Sequence, residues 1–273
     1  MKAFFENASE VEGYTIFIDW FCIMCIETYG AAKRLREAAR LSRELELEHL
    51  ILLPVPSTKD GFYVTGTDIP LFDTLTGVGE GTYVFGYGLP AEYTCAVISA
   101  GGTVYDLLFD EPFLCENAYI TAVGALGYIL TSISNLPEAL SFGVVGYGRI
   151  GREMVRLLLF LGAKAIIYTS KAPSRIELGE CGVCTRELSP TSRLDLSGVD
   201  ILINTAERSF ESSFAGGNLP IGLRVIELAS GKNFDGIAGV EYLPALPEKM
   251  YSQSGGRAYF NAIKRLAKRG CEK

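Results

Sequence analysis

The sequence has little histidine and no excess of positive charge. Its only histidine is His49, which begins an apolar stretch, where a structural role is favoured over work as a general base. The chain carries 25 Lys and Arg against 32 Asp and Glu, for a net charge of −7. Because proteins bind nucleic acid through a basic surface that neutralises phosphates, the composition predicts no nucleic-acid partner.

The apolar segment near the N-terminus lacks the features of a signal peptide or a membrane span. The apolar segment 14–26 follows Glu6, Glu10 and Glu12 and is interrupted by Asp19. A signal peptide would begin with basic residues, and a membrane span needs about 18 or more apolar residues in a row. We therefore expect a cytoplasmic protein that is not associated with a membrane.

The cysteines do not form a disulfide pattern, since there are seven of them. An odd number in a long chain is typical of reduced thiols. Two pairs, Cys22/Cys25 and Cys181/Cys184, have the spacing of zinc ligands. The first pair is embedded in apolar residues and the second lies in another predicted domain, so we interpret these cysteines as small apolar side chains and predict no metal site.

The hydrophobic pattern predicts two α/β domains. We expect an N-terminal α/β domain over 1–115, a connector helix over 116–137, a C-terminal Rossmann domain with a doubly wound parallel sheet over 138–252, and a last helix over 253–273 that packs back on the N-terminal domain. The predicted elements of the first domain are strands at 14–19, 49–55, 82–88, 94–100 and 103–109 and a helix over 28–45. Those of the second are strands at 141–146, 164–169, 182–187, 199–205, 223–229 and 239–243 and helices over 149–161 and 174–180.

A glycine-rich turn between a predicted strand and a predicted helix carries the clearest functional signal. It reads Gly146-Tyr147-Gly148-Arg149-Ile150-Gly151. The first glycine permits a tight turn, the second lets the backbone approach a pyrophosphate, and the third lets the helix pack on the strand. The helix start then offers unpaired amides to phosphates. The pattern predicts a dinucleotide site, and the alternative is a Rossmann turn that binds nothing.

The end of the second Rossmann strand favours NADP over NAD. An NAD site usually has an acidic residue about 20 residues after the motif, on the ribose hydroxyls. Here Ser170, Lys171, Ser174 and Arg175 precede the first carboxylate, Glu177. These groups suit a 2′-phosphate, whereas a plain solvated loop with NAD as cofactor stays open. The residues expected to hold the cofactor are Gly146, Gly148, Arg149, Ile150, Gly151, Thr169, Ser170, Lys171, Arg175, Asn204 and Thr205.

Six segments resemble, in the same order, those of the A-type subunit of dipicolinate synthase. They are HLILLPVPSTKDG, LCENAYITAVGALGYI, GVVGYGRIGREM, DILINTAERS, RVIELASGKNFDG and LPALPEKMYSQSGGRAYFNAI, between residues 48 and 266. The resemblance implies an enzyme of endospore-forming bacteria that removes water and a hydride from a cyclic dihydropyridine-type dicarboxylate, with NADP as acceptor, to give dipicolinate. It also implies a flavoprotein-like partner, the B-type subunit of that synthase. We further expect a homo-oligomer.

The chain departs from the family pattern at several points. It has Ile120 and Val123 where the family has Pro and Glu, and Gly231 where the family has Arg. The family's opening strand and glycine turn are expected to be missing or shortened. Two alternatives stay open: a nucleotide-binding sensor or scaffold subunit without catalysis, and a reductase of another small carboxylate.

Polar residues at predicted strand ends and helix starts are the candidates for substrate contact. The architecture resembles that of D-2-hydroxyacid dehydrogenases, but their His, Glu and Arg set cannot be assembled from this sequence. Because an aromatising oxidation has its own driving force, we expect orientation of the ring against the nicotinamide to suffice. The candidates for catalysis are Asn117 and Ser230, and those for binding a dicarboxylate are Lys59, Thr121, Arg208, Lys232, Ser254 and Arg257. Each alone also fits ordinary loop polarity.

Overall fold

The computed structural model describes most of the chain. The described residues are 8–11, 14–19, 24–30, 32–180, 183–189, 193–207, 210, 214, 217–231 and 233–271. The chain is of mixed α/β structure, as the sequence predicts. It divides into two compact units: the first unit comprises residues 1–117 and 251–273, and the second unit comprises residues 118–250.

The first unit is built on a sheet of six described strands in the order β1-β2-β3-β4-β5-β6. The strands are β1 (Ala8–Val11), β2 (Tyr14–Asp19), β3 (Met24–Tyr29), β4 (His49–Leu52), β5 (Thr82–Gly86) and β6 (Thr103–Asp106). The first three pair antiparallel, whereas β3 to β6 run parallel. Two helices follow strands of this sheet, α1 (Lys33–Ser42) and α2 (Ala91–Ser99). The parallel strands bring their carboxyl ends to one edge of the sheet.

The strand predicted at 94–100 is wrong, because this segment belongs to helix α2. Its β-branched and small residues suit a strand by composition. The helix forms because Tyr93 and Val97 lie four residues apart on one face and are both fully buried in the core. Pro90 precedes the helix, where its missing amide costs nothing.

The helix predicted from residue 28 begins only at Lys33. Thr28 and Tyr29 are the last residues of β3, and Gly30 turns the chain with φ of +104°. Glycine adopts this conformation without strain. β3, Gly30 and α1 thus form a strand, a glycine turn and a helix in the first unit. The missing or shortened opening strand and glycine turn of the family stay a prediction.

Helix α3 (Glu111–Leu130) begins earlier and ends earlier than the predicted connector helix 116–137. It begins after Asp110, whose carboxylate accepts a hydrogen bond at 3.1 Å from an amide of the first turn. The hydroxyls of Thr131 and Ser132 donate hydrogen bonds to carbonyls of the last turn. These carbonyls have no partner within the helix, so the hydroxyls allow it to end at Leu130, seven residues before the predicted end.

Among the described helices, α3 is long and apolar enough to cross a membrane. However, 56% of its apolar window is buried inside the protein, and Ala122, Ala125 and Ile129 belong to the core. A buried core helix has this composition, so α3 is weak evidence for a membrane span.

The second unit is built on a fully parallel sheet of six described strands in the order β12-β11-β10-β7-β8-β9. The strands are β7 (Ser141–Val145), β8 (Lys164–Thr169), β9 (Cys184–Glu187), β10 (Ile201–Asn204), β11 (Arg224–Glu227) and β12 (Val240–Tyr242). Its helices are α4 (Arg149–Phe160), α5 (Ala172–Glu180) and α6 (Leu246–Lys249), and α3 belongs to it from residue 118 onward. The chain starts at the centre and adds strands first on one side and then on the other, which is the Rossmann order.

Both faces of this parallel sheet are covered, as the doubly wound fold requires. Neighbouring residues of β10 enter different core clusters. Ile201 and Ile203 belong to one cluster, with Met154 and Leu158 of α4, whereas Leu202 belongs to the other. Burial on both faces explains why ILIN and SFGVV are continuous apolar runs.

The last helix, α7 (Ser252–Cys271), belongs to the first unit and packs against α1. Gly256 permits this close approach. A Cβ there would lie 2.5 Å from Cβ of Glu37 and 2.7 Å from the carbonyl oxygen of Arg34.

Tyr259 of α7 links the helix to the sheet of the first unit. Its ring is fully buried, and its hydroxyl donates to the carbonyl oxygens of Leu53 at 3.0 Å and Phe85 at 2.9 Å. Leu53 follows β4, and Phe85 is the residue before the last one of β5. Burial raises the pKa of Tyr259, so the hydroxyl keeps its proton.

Candidate cofactor-binding site

The turn between β7 and α4 leaves open space at one of its three glycines. Gly146 has φ of +91°, a left-handed conformation that favours glycine. A Cβ at Gly151 would lie 2.2 Å from the carbonyl oxygen of Gly146, so α4 packs this closely only with glycine there. A Cβ at Gly148 would meet no protein atom within 4 Å. The protein itself does not need glycine at this last position, whereas the close approach of a pyrophosphate does.

The start of α4 supplies donors beside this space. Gly148 is the N-cap and has no side chain with which to cap the helix, and the first turn carries no acidic residue. The first amides of a helix have no intrahelical partner, and with the helix dipole they favour an anion. Arg149 is exposed at the first helical position, and Ile150 packs against the core.

Thr205 supports the turn from the neighbouring strand end. Its hydroxyl and its amide both donate to the carbonyl of Val145 at 2.9 Å. A Cβ at Gly146 would lie 2.9 Å from this hydroxyl oxygen. The structure thus brings Thr205, a predicted cofactor residue, next to the glycine turn.

The segment after β8 carries two cations at the carboxyl edge of the sheet. Ser170 and Lys171 are exposed, whereas Thr169 is buried. Arg175 is half-buried: its Nη1 donates to the carbonyl of Thr169 at 3.0 Å and its Nη2 lies 3.8 Å from a carboxylate oxygen of Glu187. The backbone therefore holds the Arg175 guanidinium beside the strand end.

Asn204 and Glu227 form a buried polar centre below the ends of β10 and β11. Nδ2 of Asn204 donates to both carboxylate oxygens of Glu227, at 2.9 and 3.0 Å. Glu227 also accepts hydrogen bonds from the amide of Ala229 at 2.7 Å and from Nδ2 of Asn233 at 3.2 Å. Oδ1 of Asn204 accepts a hydrogen bond from the amide of Ala206 at 3.1 Å. The centre ties together the loops that follow the two strands.

Burial governs the chemistry of this centre. It raises the pKa of Glu227 above its ordinary value, although the surrounding donors act in the opposite direction. Asn204 is fully buried, so its side chain can affect a cofactor only through the loops that it holds. Ser174 is also buried, which leaves Ser170, Lys171 and Arg175 as the polar side chains at the end of β8.

Sequence reasoning missed Glu227. The segment RVIE could have indicated this residue. An acidic residue at the end of a parallel strand that is buried on both faces needs a specific partner.

The predicted substrate residues of the second unit have different surroundings. Ser230 is exposed in the loop after β11, whereas Thr121 is buried in α3. Arg208 and Lys232 lie outside the described residues.

In the first unit, Asn117 lies beside a buried arginine. Nη1 of Arg34 is 3.4 Å from Oδ1 of Asn117, and Nη2 donates to the carbonyl of Val55. Arg34 is 5% exposed, and sequence reasoning missed it because it lies in a helix with several other basic residues. The remaining predicted residues of this unit are all exposed: Lys59, Ser254 and Arg257. The structure thus pairs Asn117 with a guanidinium and leaves the other three on the surface.

A comparison of the sequence with family models finds no match, and a comparison with curated proteins also finds none.

Solved structures share the fold at low sequence identity. The A-type subunit of dipicolinate synthase from Bacillus halodurans is 20% identical, with 80% of this chain and 79% of that chain covered and a TM-score of 0.64. The corresponding chain of dipicolinate synthase from Bacillus subtilis is 18% identical, with 88% and 94% covered and a TM-score of 0.71. D-lactate dehydrogenase from Escherichia coli is 13% identical, with 88% and 95% covered and a TM-score of 0.54. The resemblance to the A-type subunit of dipicolinate synthase is confirmed at the level of the fold.

Proposed function

We propose that this protein is an NADP-dependent oxidoreductase that aromatises a cyclic dihydropyridine-type dicarboxylate to dipicolinate. The observation that carries the proposal is the open space over Gly148, between the left-handed turn at Gly146 and the uncapped start of α4. Such a cradle fits a pyrophosphate. The similarity to two dipicolinate synthase structures supports the choice of substrate.

The residues around the turn fit a dinucleotide. Gly148 and the first amides of α4 would hold the pyrophosphate, and the segment after β8 would hold the adenosine ribose. When bound, the oxidised nicotinamide accepts a hydride from the substrate. Lys171 and Arg175 support NADP over NAD, since a 2′-phosphate needs positive charge. Glu187 neutralises Arg175 only in part, because its side chain is 68% exposed and screened by solvent.

The proposed reaction needs little acid–base help from the protein. Loss of water from a hydroxylated ring forms a double bond and leaves the dihydropyridine. This ring would then lose a hydride, which a bound cofactor would accept, and a proton to solvent, and it would become aromatic. The protein has to orient the ring. In the first unit we propose Asn117 for this role, since Nη1 of Arg34 lies 3.4 Å from its amide oxygen. In the second unit we propose Ser230 as a separate candidate.

A second candidate is a nucleotide-binding protein without catalysis. Three departures from the family pattern favour this candidate. Ile120 replaces a proline, Val123 replaces a glutamate and Gly231 replaces an arginine, so a carboxylate and a guanidinium of the family are missing here. Ile120 is 8% exposed and offers no polar group to a substrate.

Isothermal titration of the full chain separates the candidates. NADP, NAD and dipicolinate are titrated singly, and dipicolinate is then titrated in the presence of saturating NADP. The proposal predicts tighter binding of NADP than of NAD, and binding of dipicolinate that the cofactor strengthens by at least about tenfold, or about 1.4 kcal/mol.

Each contrary result has a distinct meaning. Cofactor binding that leaves dipicolinate unaffected would favour the sensor, and cofactor-dependent binding of a different small carboxylate would favour a reductase. If no dinucleotide binds, the cradle is a turn without a ligand and the proposal fails.

Two partners belong to the same proposal. The resemblance implies the flavoprotein-like, B-type subunit of dipicolinate synthase, and we also propose a homo-oligomer. Light scattering after size exclusion measures the mass in solution, and repeating the measurement with the purified B-type protein tests the complex. A monomeric mass in both measurements would contradict both proposals.

A further inference from the structure

Three potential metal ligands lie together in the first unit, on strands β3 and β4. They are Cys25, Glu27 and His49, and their ligand atoms all lie within 4.8 Å of one another. Cys25 and Glu27 are two residues apart, so they point to the same face of β3. His49 lies directly opposite Cys25 in the parallel register. The sheet itself therefore brings the sulfur, the carboxylate and the imidazole together.

Neighbouring hydroxyls hold two of these side chains. Tyr29 donates to Oε2 of Glu27 at 2.6 Å, while Oε1 of Glu27 lies 2.9 Å from Nε2 of His49. Nδ1 of His49 is 3.1 Å from the hydroxyl oxygen of Thr82. That oxygen accepts a hydrogen bond from the amide of Gly79 at 3.1 Å. Metal sites use such outer partners to orient the histidine ring and the carboxylate. Oε1 and Nε2 are hydrogen-bonded to each other, and an ion bound by both would take the place of the proton between them.

We propose that Cys25, Glu27 and His49 bind a divalent transition-metal ion of the zinc type. Zinc takes this mixture of sulfur, nitrogen and oxygen ligands, and water would complete a tetrahedron. A thiolate and a carboxylate beside a neutral imidazole carry the charge that a divalent cation balances. This site departs from the expectation that the protein has no metal site, and it uses one cysteine rather than a cluster of four.

The distances allow the proposed coordination with small adjustments. Bonds of about 2.0 Å to nitrogen and oxygen and about 2.3 Å to sulfur place tetrahedral ligand atoms about 3.3–3.6 Å apart. The Glu27–His49 pair at 2.9 Å lies just below this range, and the largest separation within the cluster is below 4.8 Å. The side chains of His49 and Glu27 are 17% and 14% exposed, so an ion can reach them from solvent. Side-chain rotations that move these atoms by about 1 Å would close the site.

The position of the cluster points to a structural or regulatory ion rather than a reacting one. His49 is the first residue of β4 and pairs with Thr82, the first residue of β5. The cluster therefore lies at the amino edge of the parallel strands, whereas α/β proteins bind substrates and cofactors at the carboxyl edge. An ion held here would join β3 to β4 and stabilise the first unit.

Metal binding to the full chain tests the site. After chelator treatment and its removal, Zn²⁺ is titrated by calorimetry and Co²⁺ is titrated by absorbance, since a thiolate ligand gives cobalt a charge-transfer band in the near ultraviolet. We expect about one ion per chain, a thiolate band with Co²⁺, and a higher melting temperature with Zn²⁺. In Cys25→Ser and His49→Gln we expect binding at least tenfold weaker, and in Cys25→Ser no thiolate band.

Cys95→Ser is the matched control, because Cys95 is an exposed free thiol on α2. It should bind both ions as the parent protein does. Melting temperatures with and without Zn²⁺ are compared within each variant, so that a loss of intrinsic stability is not mistaken for a loss of binding. The proposal is overturned if Co²⁺ gives no thiolate band, or if Cys25→Ser and Cys95→Ser bind Zn²⁺ equally well.

Discussion

Gly148 is the residue on which the cofactor site depends most directly. A Cβ added at this position would meet no protein atom within 4 Å, so Gly148→Val should leave the fold intact. The valine side chain would occupy the space of the pyrophosphate, so the substitution should abolish dinucleotide binding. Calorimetric titration with NADP measures the effect, and circular dichroism checks the fold.

Gly179 provides the control for this substitution. It too has open space around an added Cβ, but it lies in α5. Gly179→Val should bind NADP as the parent does. Retained affinity in Gly148→Val would show that the cofactor lies elsewhere.

Glu227 and Glu241 should give opposite pH dependences of stability. Burial raises the pKa of Glu227, so its contribution to stability is present below the unfolded pKa of about 4.3 and is lost as pH rises through the folded value. The hydrogen bonds from Arg224 lower the pKa of Glu241, so its contribution is present above about pH 4.3 and is lost as pH falls through the folded value.

The measurement is the free energy of unfolding in urea at several pH values around and above 4. The parent should lose stability relative to Glu227→Gln as pH rises, and it should gain stability relative to Glu241→Gln. The slope against pH is the readout, because each Gln also changes hydrogen bonds by a constant amount. Two slopes of the same sign would contradict the assignment.

At the scale of elements, the segment after β8 should decide the cofactor preference. Lys171 and Arg175 would each make a charge-assisted hydrogen bond to a 2′-phosphate, worth about 1.5–3 kcal/mol. Lys171→Ala with Arg175→Ala should therefore weaken NADP binding by at least about tenfold and leave NAD binding nearly unchanged. Titration of both cofactors at fixed ionic strength measures this, since exposed charges are screened by salt.

Lys164→Ala is the control for charge, because Lys164 is exposed at the opposite end of the same strand. It should change neither affinity. If the parent binds NAD as well as NADP, or if the double variant loses both equally, these two side chains belong to an ordinary solvated segment.

The packing of α7 on α1 should depend on Gly256. Alanine there would bring its Cβ within 2.7 Å of the carbonyl of Arg34, on the backbone of α1. Overpacking costs about 1–3 kcal/mol, and the better helix propensity of alanine returns about 1 kcal/mol. We expect Gly256→Ala to lower the free energy of unfolding by up to about 2 kcal/mol in urea titrations.

Gly179→Ala makes the same change in a helix with open space around the residue. It should be neutral or stabilising by about 0.5–1 kcal/mol. Equal effects of the two substitutions would mean that α7 can shift away from α1 at no cost.

For the whole molecule, binding of NADP should appear as thermal stabilisation. A ligand at a hundred times its dissociation constant adds about 2.7 kcal/mol to the stability of the folded state. A protein of this size gains about 2–4 °C per kcal/mol, so we expect the melting temperature to rise by about 5–10 °C. Differential scanning fluorimetry with NADP measures the rise, and Gly148→Val is the variant that should not show it. An unchanged melting temperature in the parent would contradict the proposed site.

Most of the second unit follows from the sequence, because its signals are local. Each parallel strand is buried on both faces and so appears as a short apolar run, and the strand predicted at 164–169 coincides with β8. Gly146 and Gly151 are needed for backbone conformation and close packing, so the motif indicates the turn without knowledge of the rest of the fold. The predictions of the α/β class and of a Rossmann fold rest on these signals, and both are confirmed.

The tertiary structure decided what depends on partners distant in the sequence. Segment 94–100 has the composition of a strand, and only the core around Tyr93 and Val97 makes it a helix. Asn204 ends its strand like a ligand-binding residue, but Glu227, 23 residues away, buries its amide. The proposed metal cluster exists because the register of β3 and β4 sets His49 opposite Cys25. Local periodicity carries no information about such register or burial, because both arise only when separate strands pair and pack.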